Sequence, residues 1–218
     1  MKLSEKTIEA LKNFAAINSG VVLRSGNVQS TISTEQTIWV EVTLEDTFNI
    51  DFGIYDLNQF LGTITTLDNP ELTFTEDEVT MNDGMFEMVY RSCATNLIKT
   101  PPRDKTLVMK DPDISFNVSS NLLQRLIKIS LMNDLTDLCI LGNEEGLFLR
   151  TYQDKNDTSN FALTRIGDYS GEEFSILIKV ENLKMTIDDY TVQIKKDRFS
   201  LWTNKNETLK YFIAVVRQ

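Results

Sequence analysis

The sequence contains no histidine among its 218 residues. This absence excludes Ser-His-Asp and Cys-His catalytic groups, and it also excludes the commonest zinc sites. The chain has no G-x-x-x-x-G-K-[ST] loop and no G-x-G-x-x-G turn, so no segment is typical of nucleotide-phosphate binding. A site made of carboxylates alone cannot be located from one sequence. We therefore predict that the protein is not an enzyme.

Cysteine is scarce as well, and long apolar runs are missing. Cys93 and Cys139 lie far apart and form no metal or redox motif, which indicates ordinary buried thiols in a reducing compartment. No apolar run approaches the roughly 18 residues that cross a bilayer. The start of the chain, MKLSEKTIEA, lacks the apolar core of a signal peptide. We predict a cytoplasmic protein with no membrane partner.

One pattern of elements occurs twice in the chain. An amphipathic helix predicted at 4–17 and the β-hairpin after it are matched by a helix at 120–133 and a second hairpin, at an offset of roughly 116 residues. A strand leads into a helix at 52–61, and the same junction recurs at 176–185. The length fits two domains of about 110 residues each. Duplicated domains indicate an assembly more often than a solitary active site.

The predicted fold class is α+β, with antiparallel sheets and helices on one face. Helices are expected at 4–17, 57–67, 120–133 and 179–187. Alternating and β-branched segments predict strands at 21–23, 37–43, 48–55, 71–75, 78–82, 85–91, 138–141, 147–150, 161–166, 173–178, 190–195, 198–203 and 209–216.

Three of the four prolines lie between residues 101 and 112. Proline stiffens the backbone and is excluded from central strands, so this stretch is typical of a connection between domains. We predict a first domain at 1–100, a linker at 101–113 and a second domain at 114–218.

Acidic pairs stand at three predicted turns, Glu144-Glu145, Glu172-Glu173 and Asp188-Asp189. No fixed ligand spacing connects these pairs, whereas calcium loops place their oxygen ligands at regular intervals. We interpret the pairs as solvated corners. We predict no metal site and no cofactor.

Charge is distributed unevenly along the chain. The formal net charge is −10, yet the four predicted helices together carry +3, which leaves −13 for the remainder. Helices that face one way would present a neutral-to-basic layer backed by an acidic layer of strands. Such a layer suits the DNA backbone, which proteins bind through charge without reading sequence.

Several segments resemble one known family. The strings are MKLS at 1–4, LKNFAAINSG at 11–20, IYDLNQFLG at 54–62, LTR at 163–165 and GDYSGE at 167–172. They are similar to the DNA polymerase sliding clamps of T-even-type bacteriophages. The similarity is strongest at the N-terminus and at 54–62, it is collinear along nearly the whole chain, and 75–115 departs most.

The resemblance implies a homotrimeric ring with two clamp domains per chain, helices lining the hole and edge strands pairing between subunits. It also implies double-stranded DNA, the replicative DNA polymerase and an ATP-dependent clamp loader as partners, in the cytoplasm of an infected bacterial host. A role in late transcription, with host RNA polymerase reached through late-transcription factors, is a further association of the family.

The resemblance also assigns site residues by position. The DNA-facing residues would be Lys6, Lys12, Arg125, Lys128, Lys179 and Lys184. Strand 85–91 of one chain would meet strand 160–166 of the next, through Val89, Tyr90, Arg91, Ala162 and Thr164. An apolar pocket for partner peptides would be lined by Leu97, Ile98, Leu107, Val108, Phe212, Ala214 and Val216. The alternative for this last set is that the residues pack the linker onto the sheet.

A second hypothesis is a non-enzymatic, β-rich structural or assembly protein of a virion, where duplicated acidic domains also occur. Basic residues on helix faces distinguish a clamp from such a protein. Loading onto circular DNA but not onto short linear DNA would distinguish them as well.

Overall fold

The computed structural model describes residues 1–103, 107–153 and 160–216. The chain divides into two compact units, 1–106 and 107–218, and each is described by itself. The domain and linker bounds expected from the sequence stay a prediction.

The first unit combines two α-helices with short antiparallel sheets. β2 pairs with β3, β1 pairs with β4, and β5, β6 and β7 form a sheet in that order. The elements are α1 (Glu5–Ile17), β1 (Val21–Leu23), β2 (Gly26–Ile32), β3 (Ile38–Phe48), β4 (Phe52–Ile54), α2 (Leu57–Thr66), β5 (Glu71–Phe74), β6 (Glu78–Asn82) and β7 (Glu87–Arg91).

The helices of this unit form because their apolar residues recur at helical spacing. α1 packs against both β3 and α2, so it lies between part of the strand layer and the second helix. The buried apolar residues are Leu11, Phe14 and Ile17 in α1 and Leu57, Phe60, Leu61 and Ile64 in α2, whereas Ile8 and Ala15, which helical spacing also places on the apolar face of α1, are half-buried.

The second unit repeats the plan with one long helix. One antiparallel sheet has the strand order β11-β10-β9-β12. A second antiparallel sheet contains four neighbouring strands in the order β15-β14-β13-β8. α3 packs on β10 and β11. The elements are β8 (Ile114–Val118), α3 (Ser120–Met132), β9 (Asp137–Asn143), β10 (Gly146–Tyr152), β11 (Phe161–Gly167), β12 (Phe174–Lys179), β13 (Tyr190–Lys195), β14 (Phe199–Asn204) and β15 (Leu209–Ala214). The predicted α+β class is confirmed.

A carboxylate in a strand or directly before one holds the start of each long helix. Ser4 and Ser119 are the N-caps of α1 and α3. Asp46 of β3 accepts a hydrogen bond from the backbone N–H of Ser4, and Asp189 accepts one from the backbone N–H of Ser120, both at 2.7 Å. A negative charge at a helix N-terminus satisfies an orphan donor and interacts favourably with the helix dipole. The two units thus use the same device.

The helix predicted at 179–187 is wrong. β12 continues to Lys179, and only Val180–Asn182 forms a single turn of 3-10 helix. The backbone N–H of Thr186 donates to the hydroxyl of Tyr211 at 3.0 Å, so a strand side chain fixes this segment in a non-helical conformation. A long-range contact overrides the local helical pattern here.

The sequence pattern missed β8. This strand is short and follows the proline-rich stretch, but it pairs with β13 over its whole length and buries Ile114 and Val118. The strand predicted at 48–55 is divided in the structure between the end of β3 and β4, and in the segment between them Asp51 accepts a hydrogen bond from Ser25 N–H at 2.9 Å.

We expect Asp46→Asn to destabilise the protein at neutral pH but not in acid. Burial alone would raise the pKa of Asp46, but hydrogen bonds from the Thr7 side chain and the Ser4 backbone outweigh it and lower that pKa. A carboxyl with a depressed folded-state pKa contributes stability above its unfolded pKa, near 3.9, and loses it as pH falls through the folded pKa. The variant should lower the free energy of unfolding by about 1 kcal/mol at pH 7.

Urea denaturation at pH 7 and in acid measures this difference. Asp68→Asn makes the same chemical change on an exposed carboxyl and serves as the control. A loss of stability that is equally large at both pH values would contradict the role given to Asp46.

Candidate nucleic-acid interface and edge strands

The six cations assigned to DNA differ in their surroundings. Lys12, Arg125, Lys128 and Lys184 are exposed. Arg125 and Lys128 are three residues apart on α3, which puts them on one side of the helix. They form a small basic surface, and α3 carries no acidic residue.

Lys6 is exposed but paired. Its ammonium donates to Glu45 on β3, and the two side chains form an ion pair although both are more than half exposed. The hydrogen bond from Lys6 to Glu45 raises the pKa of Lys6. The pair partly neutralises the positive charge at the start of α1.

Lys179 is paired with a buried carboxylate. Its Nζ lies 2.5 Å from Asp137 Oδ1, and Asp137 is only 1% exposed. The Thr136 hydroxyl donates to the other Asp137 oxygen, also at 2.5 Å. A buried carboxylate requires such partners, because its desolvation is costly when it is unpaired. The ion pair with the buried Asp137 carboxylate therefore fixes the position of the Lys179 ammonium.

Lys179 and Lys184 do not lie on a lining helix. Lys179 ends β12, and Lys184 follows the 3-10 turn, so the helical placement expected for these two residues is wrong. Both border a cleft of about 740 Å³ against the C-terminal half of α3, where Ile127 and Leu131 contribute apolar surface.

α2 offers a polar but uncharged surface. Its buried stripe faces the core, whereas Asn58, Gln59 and Thr66 are exposed and Thr63 is half-buried. The hydroxyls of Thr63 and Thr66 donate to helix carbonyls one turn earlier, at 3.0 and 2.8 Å. Such a surface can lie beside a phosphate backbone without holding it by charge.

β7 is an edge strand whose outward backbone groups can be identified. In the described part of the chain it pairs with β6 alone. Ser92 N–H donates to Asp77 O, and Asp83 N–H donates to Phe86 O, both across the β6 pairing. Bonded and unbonded residues alternate in an antiparallel ladder. The N–H groups directed away from β6 therefore belong to Glu87, Val89 and Arg91.

Large apolar side chains accompany this edge. Met85 is 82% exposed, Phe86 60%, Met88 42% and Val89 38%. Exposed apolar residues that adjoin one another mark an interaction surface more often than scattered ones do. The pattern of the sequence predicted the strand but gave no sign of this exposure.

β11 is the second exposed edge. It is the outer strand of its four-stranded sheet, and Phe161 and Leu163 are 56% and 53% exposed. Ala162 lies opposite Thr151 and Thr164 opposite Leu149, on the face that α3 covers. On this face, an apolar groove of about 200 Å³ runs between α3 and the strands β10 and β11. The predicted interface residues thus lie on two edge strands, one in each unit.

The residues assigned to partner peptides differ in accessibility. Leu97 and Val108 are exposed, and Leu107, Ala214 and Val216 are half-buried. Ile98 is buried in the first unit, and Phe212 is buried against Phe199 with ring centroids 5.8 Å apart. Ile98 and Phe212 offer little surface in this conformation, and the assignment of the set stays a prediction.

The two cysteines lack the surroundings of activated nucleophiles. Burial raises the pKa of both thiols. Cys139 is buried beside the Ser175 hydroxyl at 3.1 Å, and Cys93 is half-buried. Within the ranges the structure describes, no group of three or more Cys, Asp or Glu side chains is arranged to hold a metal ion. In those same ranges no helix is long and apolar enough to cross a membrane.

Two family models match the chain, one in each half. The DNA polymerase processivity factor model matches residues 2–89, and the model of the gp45 sliding clamp C-terminal region matches residues 115–216. Among similar proteins, the sliding clamp of Vibrio phage KVP40 is 30% identical, covering 98% of both chains. The sliding clamp of Enterobacteria phage T4 is 33% identical, covering 87% of this chain and 85% of the other.

Solved structures with the same fold are more distant in sequence. The structure of A. fulgidus PCNA with the C-terminal region of FEN-1 bound has a TM-score of 0.71 at 13% identity, with 100% of this chain and 97% of that chain covered. The PCNA2–PCNA3 complex of Sulfolobus tokodaii has a TM-score of 0.67 at 12% identity, with 96% and 95% covered. At these identities the likeness shows the fold alone.

We expect Lys179→Met to destabilise the fold more than Lys12→Met. The first change leaves Asp137 buried without its cation and should lower the free energy of unfolding by about 3 kcal/mol, because an unpaired buried charge is costly. The second removes an exposed lysine and should change it by less than about 0.5 kcal/mol.

Chemical denaturation of both variants measures the difference. The double variant Asp137→Leu with Lys179→Met should recover part of the loss, since replacing both charges by apolar groups removes the desolvation cost. Equal effects of the two single lysine variants would contradict the pairing.

Proposed function

We infer the function of this chain from its family: it belongs to the gp45-type sliding clamps, which are DNA polymerase processivity factors. We propose that three copies close into a ring around duplex DNA and tether the replicative DNA polymerase during synthesis. The observation that carries the ring is the presence of two different edge strands, β7 and β11, on one chain.

Two unlike edges on one chain form a head-to-tail contact. Such contacts generate rings when the rotation between copies closes and filaments when it does not. The number three follows from the resemblance to the phage clamps. A closed ring also covers the edges that would otherwise template aggregation.

We propose that apolar side chains on matching faces of β7 and β11 meet in the contact between copies. Tyr90 packs edge-to-face against Phe60 of α2 with ring centroids 5.3 Å apart, so Val89 lies on the face away from that helix. Phe161 and Leu163 likewise lie on the face away from α3. If the helices of two copies share one side, Val89 meets this apolar pair and burial of the three side chains stabilises the contact.

The helix side of the same contact supplies a second apolar match. Met88 shares the α2 face of β7 with Tyr90, and it is 42% exposed. The groove between α3 and β11 opens beside Ala162 and Thr164 in the second unit. We propose that the Met88 side chain of one copy enters this groove of the next.

We propose that DNA lies against the helices and is held by few cations. Lys12, Arg125 and Lys128 are exposed and can contact phosphates, and α2 adds only uncharged groups. Few ionic contacts without base readout leave the ring free to move along the duplex. The protein then acts as a tether with no catalysis and no cofactor.

The remaining partners are proposed from the family. They are an ATP-dependent clamp loader, a polymerase peptide bound near Leu97 and Val108, and host RNA polymerase reached through late-transcription factors. The setting would be the cytoplasm of an infected bacterium. The alternative of a virion structural protein lacks an observation that favours it.

We expect Arg125→Ala with Lys128→Ala to weaken DNA retention and polymerase processivity. Each lost phosphate contact should reduce the magnitude of the slope of log K against log salt by about 0.9. The double variant should therefore reduce that slope by about 1.8 for each chain that contacts DNA. Processivity assays and DNA binding over a salt series measure both effects. Lys205→Ala with Arg198→Ala removes the same charge from turns of the second unit and is the control. Unchanged processivity of the double variant at low salt would contradict the assignment of Arg125 and Lys128 as DNA contacts.

We expect Val89→Pro to convert trimers to monomers. The outward N–H of Val89 is a donor for the neighbouring edge strand, and proline removes it. Sedimentation should show the wild-type chain near three times 24.9 kDa and the variant near one. Val89→Thr keeps the N–H and should remain trimeric. A Val89→Pro trimer that persists at micromolar concentration would count against this interface.

A further inference from the structure

The ion pairs of Lys6 and Lys179 divide the basic residues into two kinds. Among the described residues, Lys12, Arg125 and Lys128 have no carboxylate within the 4.0 Å of an ion pair. Lys6 and Lys179 each have one, in Glu45 and Asp137. Whether these lysines can contact a phosphate depends on what happens to the carboxylate that is left behind.

Lys179 cannot leave its partner without a large loss. Asp137 is buried, and among the described residues its other side-chain hydrogen bond comes from the Thr136 hydroxyl. A buried carboxylate that loses its cation is strongly destabilising. Lys179 is therefore a structural counterion, and it does not serve as a DNA contact.

Lys6 is free to exchange its partner. The Lys6 and Glu45 side chains are 76% and 56% exposed, so water can solvate Glu45 once the lysine has moved. Ion pairs this exposed are weak, and a DNA phosphate can replace the carboxylate at small cost.

Glu45 is held in place by its neighbour in sequence. Asp46 bonds the Ser4 backbone N–H at 2.7 Å and thereby fixes β3 beside the first turn of α1. Glu45 consequently stays beside Lys6 as long as that cap is intact.

We propose that Glu45 competes with DNA phosphates for Lys6 and so limits how tightly α1 holds the duplex. The inference rests on the proposed function, because it concerns the DNA-facing surface of a clamp. A phosphate contact through Lys6 requires the Lys6–Glu45 ion pair to break. A phosphate contact through Lys12, Arg125 or Lys128 breaks no such pair among the described residues. Glu45 thereby keeps the ring mobile.

Glu45→Gln tests the competition on the full-length protein. Binding to a fluorescein-labelled duplex is measured by anisotropy over a salt series. Freed from its carboxylate, Lys6 gains one phosphate contact, so the slope of log K against log salt steepens by about 0.9 for each engaged chain. Between about 50 and 200 mM salt, the variant then loses about 3.5-fold more affinity than the wild type, starting from tighter binding at low salt.

Three control variants separate this effect from a change in net charge. Glu144→Gln makes the same substitution at the exposed β9–β10 turn and should leave the slope unchanged. Adding Lys6→Ala to Glu45→Gln should abolish the gain, since the gain passes through Lys6. Lys179→Ala, checked for folding by circular dichroism, should leave the slope unchanged.

The outcomes for Glu45→Gln test the competition for Lys6, and the outcome for Arg125→Ala with Lys128→Ala tests the DNA-facing surface. A slope for Glu45→Gln equal to that of Glu144→Gln, or a gain that persists without Lys6, overturns the inference. No detectable binding by either the wild type or Glu45→Gln overturns it as well. If Arg125→Ala with Lys128→Ala leaves DNA binding intact, the proposed DNA-facing surface fails independently of Glu45.

Discussion

The attachment of each long helix to the strand layer by a carboxylate is the constraint on which the other features depend. Asp46 accepts the N–H of the N-cap residue of α1, and Asp189 accepts the N–H of the first residue of α3, each within its own half of the sequence. Because the helix starts are fixed, the side chains that follow them have fixed surroundings. The position of Lys6 beside Glu45 is one consequence. The duplication visible in the sequence is thus preserved as a repeated hydrogen bond.

A second constraint is the incompleteness of the two sheets that carry β7 and β11. Their edges leave backbone donors without sheet partners among the described residues, and apolar side chains such as Phe86 and Phe161 stand beside them. A solitary protein usually protects such edges with charge, proline or covering loops. Edges left open in both units favour a protein completed by copies of itself.

Periodicity predicted the elements that local pattern controls. α1, α2 and α3 have apolar residues at helical spacing, and all three formed within one or two residues of the predicted bounds. The segment 179–187 shows a similar spacing, yet it did not form a helix because the Tyr211 hydroxyl holds the Thr186 backbone from a distant strand. β8 was missed for the opposite reason, since its pairing with β13 supplies what five residues of pattern cannot.

The sequence by itself determined the absence of histidine chemistry, the α+β class, the duplication and the positive charges on α1 and α3, although the charge expected for a helix at 179–187 lies outside the helices. It could not determine which of those charges are available. Lys6 meets Glu45 from 39 positions away and Lys179 meets Asp137 from 42, so a count along the chain cannot detect either pair. Tertiary structure alone decided which cations are neutralised and which strands are edges, because both depend on contacts between residues remote in sequence.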